Sequence, residues 1–430
     1  MTRPVTVDAW LAYLETLHPR AIALGLDRVR AVAAQLGASI TCPVITVTGT
    51  NGKGSTCAML ESILRAAGYR VGLYTSPHLM RYHERVRIVG TDATDAELLA
   101  AFAAVEDARL ASFDVHGAPI LLTYFEFGTL AALWLFARAN LEVLVLEVGL
   151  GGRLDAVNII DADVAVVTSV DIDHVDFLGA ERESIGREKA GIFRHGRPAV
   201  CGDTNPPASL VAAAAAVGAI LHLAGRDFGY VAEGRQWRYS GQRERYGLPF
   251  PALRGQYQLG NAAVVLAVLD LLHDRLPVSA GALRDGLLTV SLSGRFEVLP
   301  GRPTIVLDVA HNPHAARALA GALGDMGYHP ATVAVCGMLA DKDIAGVVAV
   351  MRPRVDRWYV ASLPSARGAS ADKIRSALLW AGVDPAAVRA FDSVGAAVAA
   401  ARDVAGEADR IVVFGSFLTV AAAKTALSRA

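Results

Sequence analysis

One short stretch of the chain, GTNGKGS, combines three glycines, a lysine and two hydroxyl side chains in an arrangement suited to phosphate groups. It follows the apolar residues Val44–Val47, which predict a buried strand, and precedes a helix predicted from Ser55 onward. A strand, glycine turn and helix direct backbone N–H groups and a helix amino terminus at a phosphate. Lys53 adds a cation for the β- and γ-phosphates, and Ser55 a hydroxyl for a magnesium ion. We therefore predict a phosphate-binding loop formed by Gly49, Thr50, Asn51, Gly52, Lys53, Gly54 and Ser55.

The spacing of this loop differs from the common G-x-x-x-x-G-K-[ST] pattern, because Lys53 follows GTNG directly and Gly54 separates it from Ser55. A plain glycine turn between a strand and a helix would account for two of the glycines. It would not account for three glycines, a lysine and two hydroxyls in one turn. Nucleotide phosphate binding is therefore the preferred interpretation.

Polar side chains stand at the ends of three further predicted strands, at Ser76, Glu147 and His174. Each has a plain structural interpretation when taken alone: Ser76 shapes a turn before Pro77, Glu147 forms a buried ion pair, and His174 packs in the core. Taken together beside a phosphate loop, they supply a hydroxyl, a carboxylate and an imidazole. With phosphate oxygens these groups form a suitable site for a hard cation such as Mg²⁺.

Lys189, in the segment IGREKAGIF, allows two interpretations. The structural one is a salt bridge to Glu188 or to another carboxylate. The chemical one is a lysine whose pKa is lowered by desolvation, so that its amine can be modified. A carbamate on that amine would convert a cation into an anion able to bind a metal.

A second group of polar residues follows a predicted strand in the segment LDVAHNPHAARAL. Asn312 is a suitable N-cap and Pro313 a suitable first helical residue, so a helix start explains both. It does not explain Asp308 and His311. Arg295, in a preceding linker, is either an exposed linker arginine or a bidentate phosphate ligand that acts as two domains close.

The elements that must position these residues alternate between apolar strands and helices, which predicts an α/β fold with a parallel sheet covered on both faces. Between residues 230 and 253 a polar, aromatic and turn-rich pattern predicts short antiparallel hairpins at the margin of this sheet. After the linker Ser291–Thr304 the alternation restarts and predicts a smaller, doubly wound second domain without a phosphate loop. We place the domains at residues 1–295 and 296–430, with an active site in the cleft between them.

Bulk composition agrees with a two-domain globular protein. The chain has 430 residues, 53% of them hydrophobic, and a net charge of -1. This balance excludes disorder and gives no electrostatic reason to expect nucleic acid or an acidic membrane surface. The cysteines are scattered, without a C-x-x-C pair, as in a reduced cytoplasmic protein, and the apolar runs are too short to span a bilayer. We expect a cytoplasmic monomer.

At this point ten motifs can be read in order along the chain: TGTNGKGS, TSPHL, ERVRI, TYFEFGT, LEVGLGGRLDAVN, DHVDFLG, REKAGIFR, SGRFE, DVAHNPHA and DKDI. In these motifs the chain resembles the folylpolyglutamate synthase/dihydrofolate synthase family of the Mur ligase superfamily. The resemblance runs from about Trp10 to Ala421. It implies a Mur-ligase-type P-loop ATPase domain followed by a smaller Rossmann-like glutamate-ligase domain.

The resemblance also implies a role for each matching residue. Nucleotide contacts beyond the phosphate loop would come from Asn261, Arg295 and Asp308. Magnesium, at two sites, would be held by Ser76, Glu147, His174 and carbamylated Lys189. Catalysis would involve Lys189, His174, Asp308 and His311. The pterin-bearing substrate would lie against Ile22, Leu24, Thr123, Tyr124, Phe125, Glu126, Leu154, Asp155 and Ala156.

The implied reaction joins L-glutamate to an acceptor carboxylate at the expense of ATP. The carboxylate attacks the γ-phosphate to give an acyl phosphate and ADP, and the glutamate amine then displaces phosphate. Dihydropteroate as acceptor gives dihydrofolate, and a reduced folate gives a γ-glutamyl extension. Two alternatives remain: a ligase with only the polyglutamylating activity, and a nucleotide-hydrolysing switch that signals to a partner.

Overall fold

The computed structural model describes residues 3–114 and 116–428. The helices are α1 Val7–Leu17, α2 Asp27–Leu36, α3 Lys53–Ala66, α4 Asp95–Leu110, α5 Tyr124–Phe136, α6 Val175–Leu178, α7 Arg182–Ala190, α8 Ala208–Val217, α9 Tyr257–Leu271, α10 Ala280–Thr289, α11 Pro313–Asp325, α12 Ile344–Met351, α13 Ala371–Trp380, α14 Val394–Val404 and α15 Phe417–Ser428. The strands are β1 Val44–Thr48, β2 Val71–Tyr74, β3 Val86–Ile88, β4 Thr91–Asp92, β5 Val143–Glu147, β6 Val164–Val167, β7 Pro198–Cys201, β8 Ile220–Leu223, β9 Gly229–Glu233, β10 Gln236–Ser240, β11 Arg245–Pro249, β12 Glu297–Leu299, β13 Thr304–Leu307, β14 Thr332–Cys336, β15 Arg357–Ala361, β16 Val388–Phe391 and β17 Arg410–Phe414.

The chain divides into two compact units. The first takes in the chain up to Pro251 together with Gly260–Val290, and the second takes in Ala252–Leu259 and the chain from Ser291. The segment Ala252–Leu259 thus groups with the second unit, although the predicted division at 295/296 puts it in the first domain. Each unit has its own sheet and its own buried apolar core.

The first unit is built on an eight-stranded sheet in the order β4-β3-β2-β5-β1-β6-β7-β8. The pairs from β2 to β8 are parallel, and β3 and β4 add an antiparallel edge. Every residue of β1, β2, β5 and β6 is buried, as expected for strands covered on both faces. The predicted parallel sheet is therefore confirmed in its centre, whereas the antiparallel edge was not foreseen.

The hairpins predicted between residues 230 and 253 are present, but their predicted place at the sheet margin is wrong. They form a separate antiparallel sheet in the order β11-β10-β9. Its inner face buries Trp237, Tyr239 and Leu248. Arg245 pairs with Asp270 of α9 at 2.7 Å, and this bond ties the small sheet to the helix.

The second unit contains a six-stranded sheet in the order β12-β13-β17-β14-β15-β16. Only β12 is antiparallel, and the remaining pairs are parallel. This topology confirms the predicted Rossmann-like second fold. In the described part of the chain, no helix is long and apolar enough to cross a membrane.

Candidate active site

The phosphate loop lies between the carboxyl end of β1 and the amino end of α3. Gly52 precedes α3 in a left-handed conformation (φ +87°), and no side chain caps the first turn. The helix begins at Lys53 and not at Ser55 as predicted, so Lys53, Gly54 and buried Ser55 all lie in its first turn. Lys53 Nζ donates to the carbonyl of Gly49 at 3.0 Å, which lays the ammonium group over the loop. The helix dipole and the ammonium group thus concentrate positive charge at one point.

Two glycines of the loop are required by close neighbours. A Cβ atom at Gly49 would overlap the hydroxyl of Thr168. A Cβ atom at Gly52 would lie 2.5 Å from Oδ1 of Asn261, and its left-handed backbone already disfavours other residues. Asn261, expected to contact the nucleotide, is therefore brought directly against the loop by α9.

The segment that follows β6 holds the loop in place. The N–H of Thr50 donates to the carbonyl of Ser169 at 2.8 Å, and the Thr168 hydroxyl donates to the carbonyl of Asn51 at 2.6 Å. The Thr50 hydroxyl donates to the carbonyl of Asp171 and accepts from its N–H, both at 2.9 Å. The apolar run from Val164 to Val170 predicts a longer strand, but β6 ends at Val167, and the next residues leave the sheet to bind the loop.

Ser76 and Glu147 lie together, as the metal-site hypothesis requires. The backbone N–H of Ser76 donates to Oε2 of Glu147 at 3.0 Å. Glu147 is buried as the last residue of β5, where it pairs in register with Val47 of β1. A carboxylate is thus fixed beside the strand that leads into the phosphate loop.

His174 stands beyond β6, the neighbour of β1 on its other side. Its backbone is left-handed (φ +52°), and its N–H donates to Oδ1 of Asp173 at 2.8 Å. The described residues contain no group of three or more His, Cys, Asp and Glu side chains suited to a metal. Of the metal ligands expected from the sequence, only Glu147 and His174 are Asp, Glu, His or Cys residues. The other expected ligands are a hydroxyl, a modified lysine and phosphate oxygens. Such oxygen-rich donors fit a hard divalent cation.

Lys189 is buried in α7, with 3% of its surface exposed. Burial, and next the positive charge of Lys53, lower the pKa of the Lys189 amine to about 7, against the opposing effect of Asp173 and Asp155. The salt bridge to Glu188 considered above is absent, because Glu188 pairs with Arg153 at 2.8 Å. Within residues 3–114 and 116–428, no carboxylate forms an ion pair with the Lys189 amine. The structure thus supplies the desolvated lysine that the chemical interpretation needs.

Asp155 is a second buried titratable group near the loop. Burial raises its pKa to about 7, while N–H groups of Leu150 at 2.8 Å and Val157 at 3.0 Å and the charge of Lys53 oppose the rise. Its side chain caps a short 3₁₀ turn that begins at Ala156. The carboxyl group therefore titrates close to neutral pH.

The predicted substrate-binding segments come together around this turn. The half-buried residues 22–24 precede Gly25, whose N–H donates to the carbonyl of Leu154 at 3.4 Å. Arg28 reaches Oε1 of Glu126 at 2.8 Å. Residues separated by about a hundred positions in the sequence thus form one patch, in which Glu126 and Asp155 are buried.

The TYFE segment adopts a capped helix start. Thr123 and Glu126 form a capping box, with the Thr123 N–H donating to Oε2 of Glu126 at 2.7 Å. Both Glu126 oxygens are therefore engaged within the protein, so this residue shapes the patch. Phe125 packs so closely on Gly149 that a Cβ there would lie 2.7 Å from the ring. Burial raises the pKa of Tyr124 to about 12, which keeps its hydroxyl protonated.

In the second unit, Asp308 is buried just beyond β13. Its two oxygens accept the N–H groups of Phe296 and Ala310, each at 2.8 Å. Burial raises the pKa of Asp308, and the charge of Arg295 is the largest opposing effect. The sequence placed Asp308 and Arg295 in one site, and the structure brings them together.

His311 and the helix start complete this group. The His311 ring lies 2.9 Å from the carbonyl of Val309 and 6.5 Å from the centre of the Phe417 ring. The guanidinium of Arg295 lies 4.9 Å from the centre of the same Phe417 ring. Asn312 caps α11, whose first residue is a proline, so the helix-start interpretation of that residue is confirmed. Arg295 therefore packs against Phe417 and acts on Asp308 by its charge, which does not fit an exposed linker arginine.

Together these features define a nucleotide-binding α/β protein with a phosphate loop and strand-end residues suited to a divalent cation. The family profile described as the Mur ligase middle domain matches residues 47–269, and that of the Mur ligase glutamate ligase domain matches residues 294–417. The chain is 48% identical over 415 residues to the dihydrofolate synthase/folylpolyglutamate synthase of Escherichia coli, covering 96% of this chain and 93% of that protein. It therefore belongs to the dihydrofolate synthase/folylpolyglutamate synthase family of Mur ligases.

Solved structures agree with this assignment. E. coli FolC in complex with DHPP and ADP matches with a TM-score of 0.91 and 47% identity, covering 99% of this chain and 98% of that one. A bifunctional folylpolyglutamate synthase/dihydrofolate synthase with Mn, AMPPNP and L-glutamate bound matches with a TM-score of 0.89 and 48% identity, covering 98% of both chains.

Proposed function

We propose that this protein is an ATP-dependent, ADP-forming ligase. It adds L-glutamate to 7,8-dihydropteroate to give dihydrofolate, and it extends reduced folates with γ-linked glutamates. The observation that carries the proposal is the phosphate loop with Lys53, whose charge acts on the buried Lys189, in a chain 48% identical to a bifunctional relative. The E. coli and Mn-bound relatives, crystallised with ADP, AMPPNP, DHPP or L-glutamate, support both substrates and nucleotide.

The protein's own groups suit the first step, in which an acceptor carboxylate attacks the γ-phosphate and ADP leaves. The backbone N–H groups at the start of α3 and the Lys53 ammonium would neutralise charge that develops on the phosphates. Ser76, Glu147 and His174 would hold magnesium, in two sites completed by phosphate oxygens and Lys189. Held by these residues, a divalent cation would supply Lewis-acid stabilisation of the charge on the phosphate groups.

Lys189 would serve as a metal ligand after modification by carbon dioxide. The neutral amine adds CO₂ to give a carbamate and releases one proton. With a pKa of about 7, about half of the Lys189 amines are neutral at pH 7, whereas an ordinary lysine is almost wholly protonated. A protein sample in ¹³C-bicarbonate should show a carbamate resonance that is missing from Lys189→Met; its absence from the wild-type protein would remove this step.

The pterin-bearing substrate would lie on the patch formed by residues 22–24, 123–126 and 154–156. Aromatic Tyr124 and Phe125 offer faces for a flat ring system. The buried Asp155 carboxyl, with a pKa raised to about 7, would place a group that changes protonation near neutral pH next to this patch.

Residues 296–430 would act as the glutamate-ligase domain, and residues 1–295 as the ATP- and pterin-binding domain. Asp308, His311 and Arg295 would contact the nucleotide or the acyl phosphate when the domains work together. After the first step, the amine of L-glutamate attacks the acyl carbon and inorganic phosphate leaves. Exclusion of water matters here, because an acyl phosphate hydrolyses readily.

We further infer a cytoplasmic monomer that uses neither nucleic acid nor a membrane as partner. The net charge of -1 and the free state of the described cysteines support this inference.

Product analysis tests the proposed function directly. The protein would be incubated with ATP, magnesium and L-glutamate, and with either dihydropteroate or a tetrahydrofolate as acceptor. We expect ADP release to require both acceptor and glutamate, with dihydrofolate formed from the first acceptor and a diglutamate from the second. Formation of the diglutamate without dihydrofolate would indicate an enzyme with folylpolyglutamate synthase activity only. Nucleotide hydrolysis independent of both acceptors would instead indicate a nucleotide switch.

A further inference from the structure

The segment after β6 is held from two sides. On one side Thr168, Ser169 and Asp171 bind the phosphate loop through Thr50 and Asn51, as described above. On the other side a single residue, Val170, is held by both of its backbone groups. Val170 is 2% exposed, so water cannot replace these bonds.

The groups that hold Val170 are an aspartate and an arginine from two other elements. Asp203, which follows β7, accepts the Val170 N–H through Oδ2 at 2.9 Å. Arg182, the first residue of α7, donates from Nε to the Val170 carbonyl at 2.9 Å. Arg182 also donates from Nη2 to Oδ2 of Asp203 at 3.0 Å and to the Asn205 carbonyl at 2.9 Å. Oδ1 of Asp203 accepts the N–H of Asn205 at 2.9 Å.

This arrangement connects the phosphate loop to the helix that carries Lys189. Arg182 and Lys189 are seven residues apart on α7, about 10 Å along the helix axis, and two turns place them on one face. The carboxyl end of the same helix is anchored separately, because the N–H of Arg153 donates to the carbonyl of Glu188 at 2.9 Å. The bonds of Arg182 to Val170 and Asp203 join the amino end of α7 to the segment that binds the loop.

We propose that Arg182 and Asp203 are a positioning pair that fixes Val170. Through Val170 the pair keeps the phosphate loop, His174 and Lys189 in fixed positions relative to one another. The pair touches no reacting atom. The proposal rests on the proposed function, since it assigns the pair to the placement of nucleotide and metal. Removal of a group that orients a metal ligand lowers metal affinity or activity by about 10–100-fold. A displacement of the reacting groups by about an ångström can lower activity by about 100-fold.

The chain offers a matched control at the opposite end of β6. Asp163 precedes this strand, accepts the Val44 N–H at 2.8 Å and pairs with Arg197 at 2.9 Å and with Arg275 at 2.6 Å. Its side chain is 15% exposed, against 13% for Asp203. Asp163→Asn therefore removes a comparable charged hydrogen-bond acceptor at the amino edge of the same sheet, away from the phosphate loop.

The test compares Asp203→Asn, Arg182→Lys and Asp163→Asn. Thermal unfolding gives the stability loss, calorimetry gives the Kd of Mn·AMPPNP, and steady-state kinetics give the magnesium activation constant. We expect Asp203→Asn and Asp163→Asn to lower Tm by similar amounts, while only Asp203→Asn weakens Mn·AMPPNP binding, by about 10–100-fold. Arg182→Lys keeps the positive charge but lacks the several N–H donors of the planar guanidinium group, so it should also weaken Mn·AMPPNP binding.

Equal Mn·AMPPNP affinities for Asp203→Asn and Asp163→Asn would overturn the proposal, as would full retention of affinity by Arg182→Lys. The binding measurement needs no acceptor substrate. A wild-type protein that binds Mn·AMPPNP but forms no glutamate-dependent ADP would therefore contradict the proposed function, and the comparison of variants would still decide the role of the pair.

Discussion

The buried amine of Lys189 should make the stability of the protein depend on pH in a way that Lys189→Met abolishes. Methionine matches the length of the lysine stem and carries no charge. In the wild-type protein, burial first and Lys53 second lower the pKa of the amine from 10.5 to about 7. At 1.36 kcal/mol for each pH unit between these values, the cost of folding with a protonated Lys189 is about 5 kcal/mol.

The direction of the effect follows from proton binding. Below pH 7 the folded and unfolded chains both bind the proton, so the folded state bears the full cost. Between pH 7 and pH 10.5 the unfolded chain alone keeps the proton, and the free energy of unfolding rises with pH. We therefore expect Lys189→Met to be more stable than wild type at pH 6 to 7, by up to about 5 kcal/mol, and the difference to shrink as pH rises.

Urea unfolding in CO₂-free buffer between pH 6 and pH 9.5 measures this difference. Hydrogen exchange of peptides from the first unit identifies the relevant transition, since a two-unit protein need not unfold in one step. Arg187→Met is the control, because it removes an exposed cation from the same helix and should leave the pH dependence unchanged. Parallel pH curves for wild type and Lys189→Met would contradict a lowered pKa of the Lys189 amine in the folded protein.

Three further substitutions have distinct expected results. Glu147→Gln should lower magnesium-dependent ligation by at least about 100-fold with little change in Tm, because a metal-binding carboxylate is lost; unchanged turnover would exclude that role. Gly52→Ala should weaken AMPPNP binding, measured by calorimetry, about 10-fold or more. The left-handed backbone of residue 52 disfavours alanine, and the new Cβ would lie 2.5 Å from the Asn261 oxygen. An unaltered affinity would contradict this loop geometry. In the wild-type protein, KM for dihydropteroate should change between pH 6 and pH 8, where the Asp155 carboxyl group with a pKa of about 7 titrates. Asp155→Asn should remove this pH dependence. If the dependence persists in the variant, another group causes it.

Local sequence signals predicted the elements well where neighbouring residues decide the structure. The spacing of Thr94 and Glu97 predicts a capping box, and this box starts α4, since both partners lie within one turn. The apolar run at the start of the phosphate loop forms β1, because a strand covered on both faces must be apolar throughout. The family resemblance then pointed to further candidate residues, including Asn261, which no local pattern distinguishes from other helix residues.

Contacts between distant segments could not be read from the sequence. The run VVTSV is apolar enough to continue a strand, yet Thr168 leaves the sheet to bind Asn51. Glu188 is next to Lys189 in the chain, but successive helical residues point in different directions, and Glu188 reaches Arg153. Arg182 and Asp203 lie outside the motifs quoted for the family, and only the fold shows that both hold Val170.

We expect the loop from Gly49 to Ser55 to bind the triphosphate of ATP beside the strand-end metal ligands. A crystal structure with magnesium and a non-hydrolysable ATP analogue tests it most directly. We expect the β- and γ-phosphates within hydrogen-bonding distance of the first N–H groups of α3 and of Lys53 Nζ, with a magnesium ion bound to Glu147. A triphosphate bound elsewhere, or a Lys53 side chain turned away from it, would exclude this mode of ATP binding.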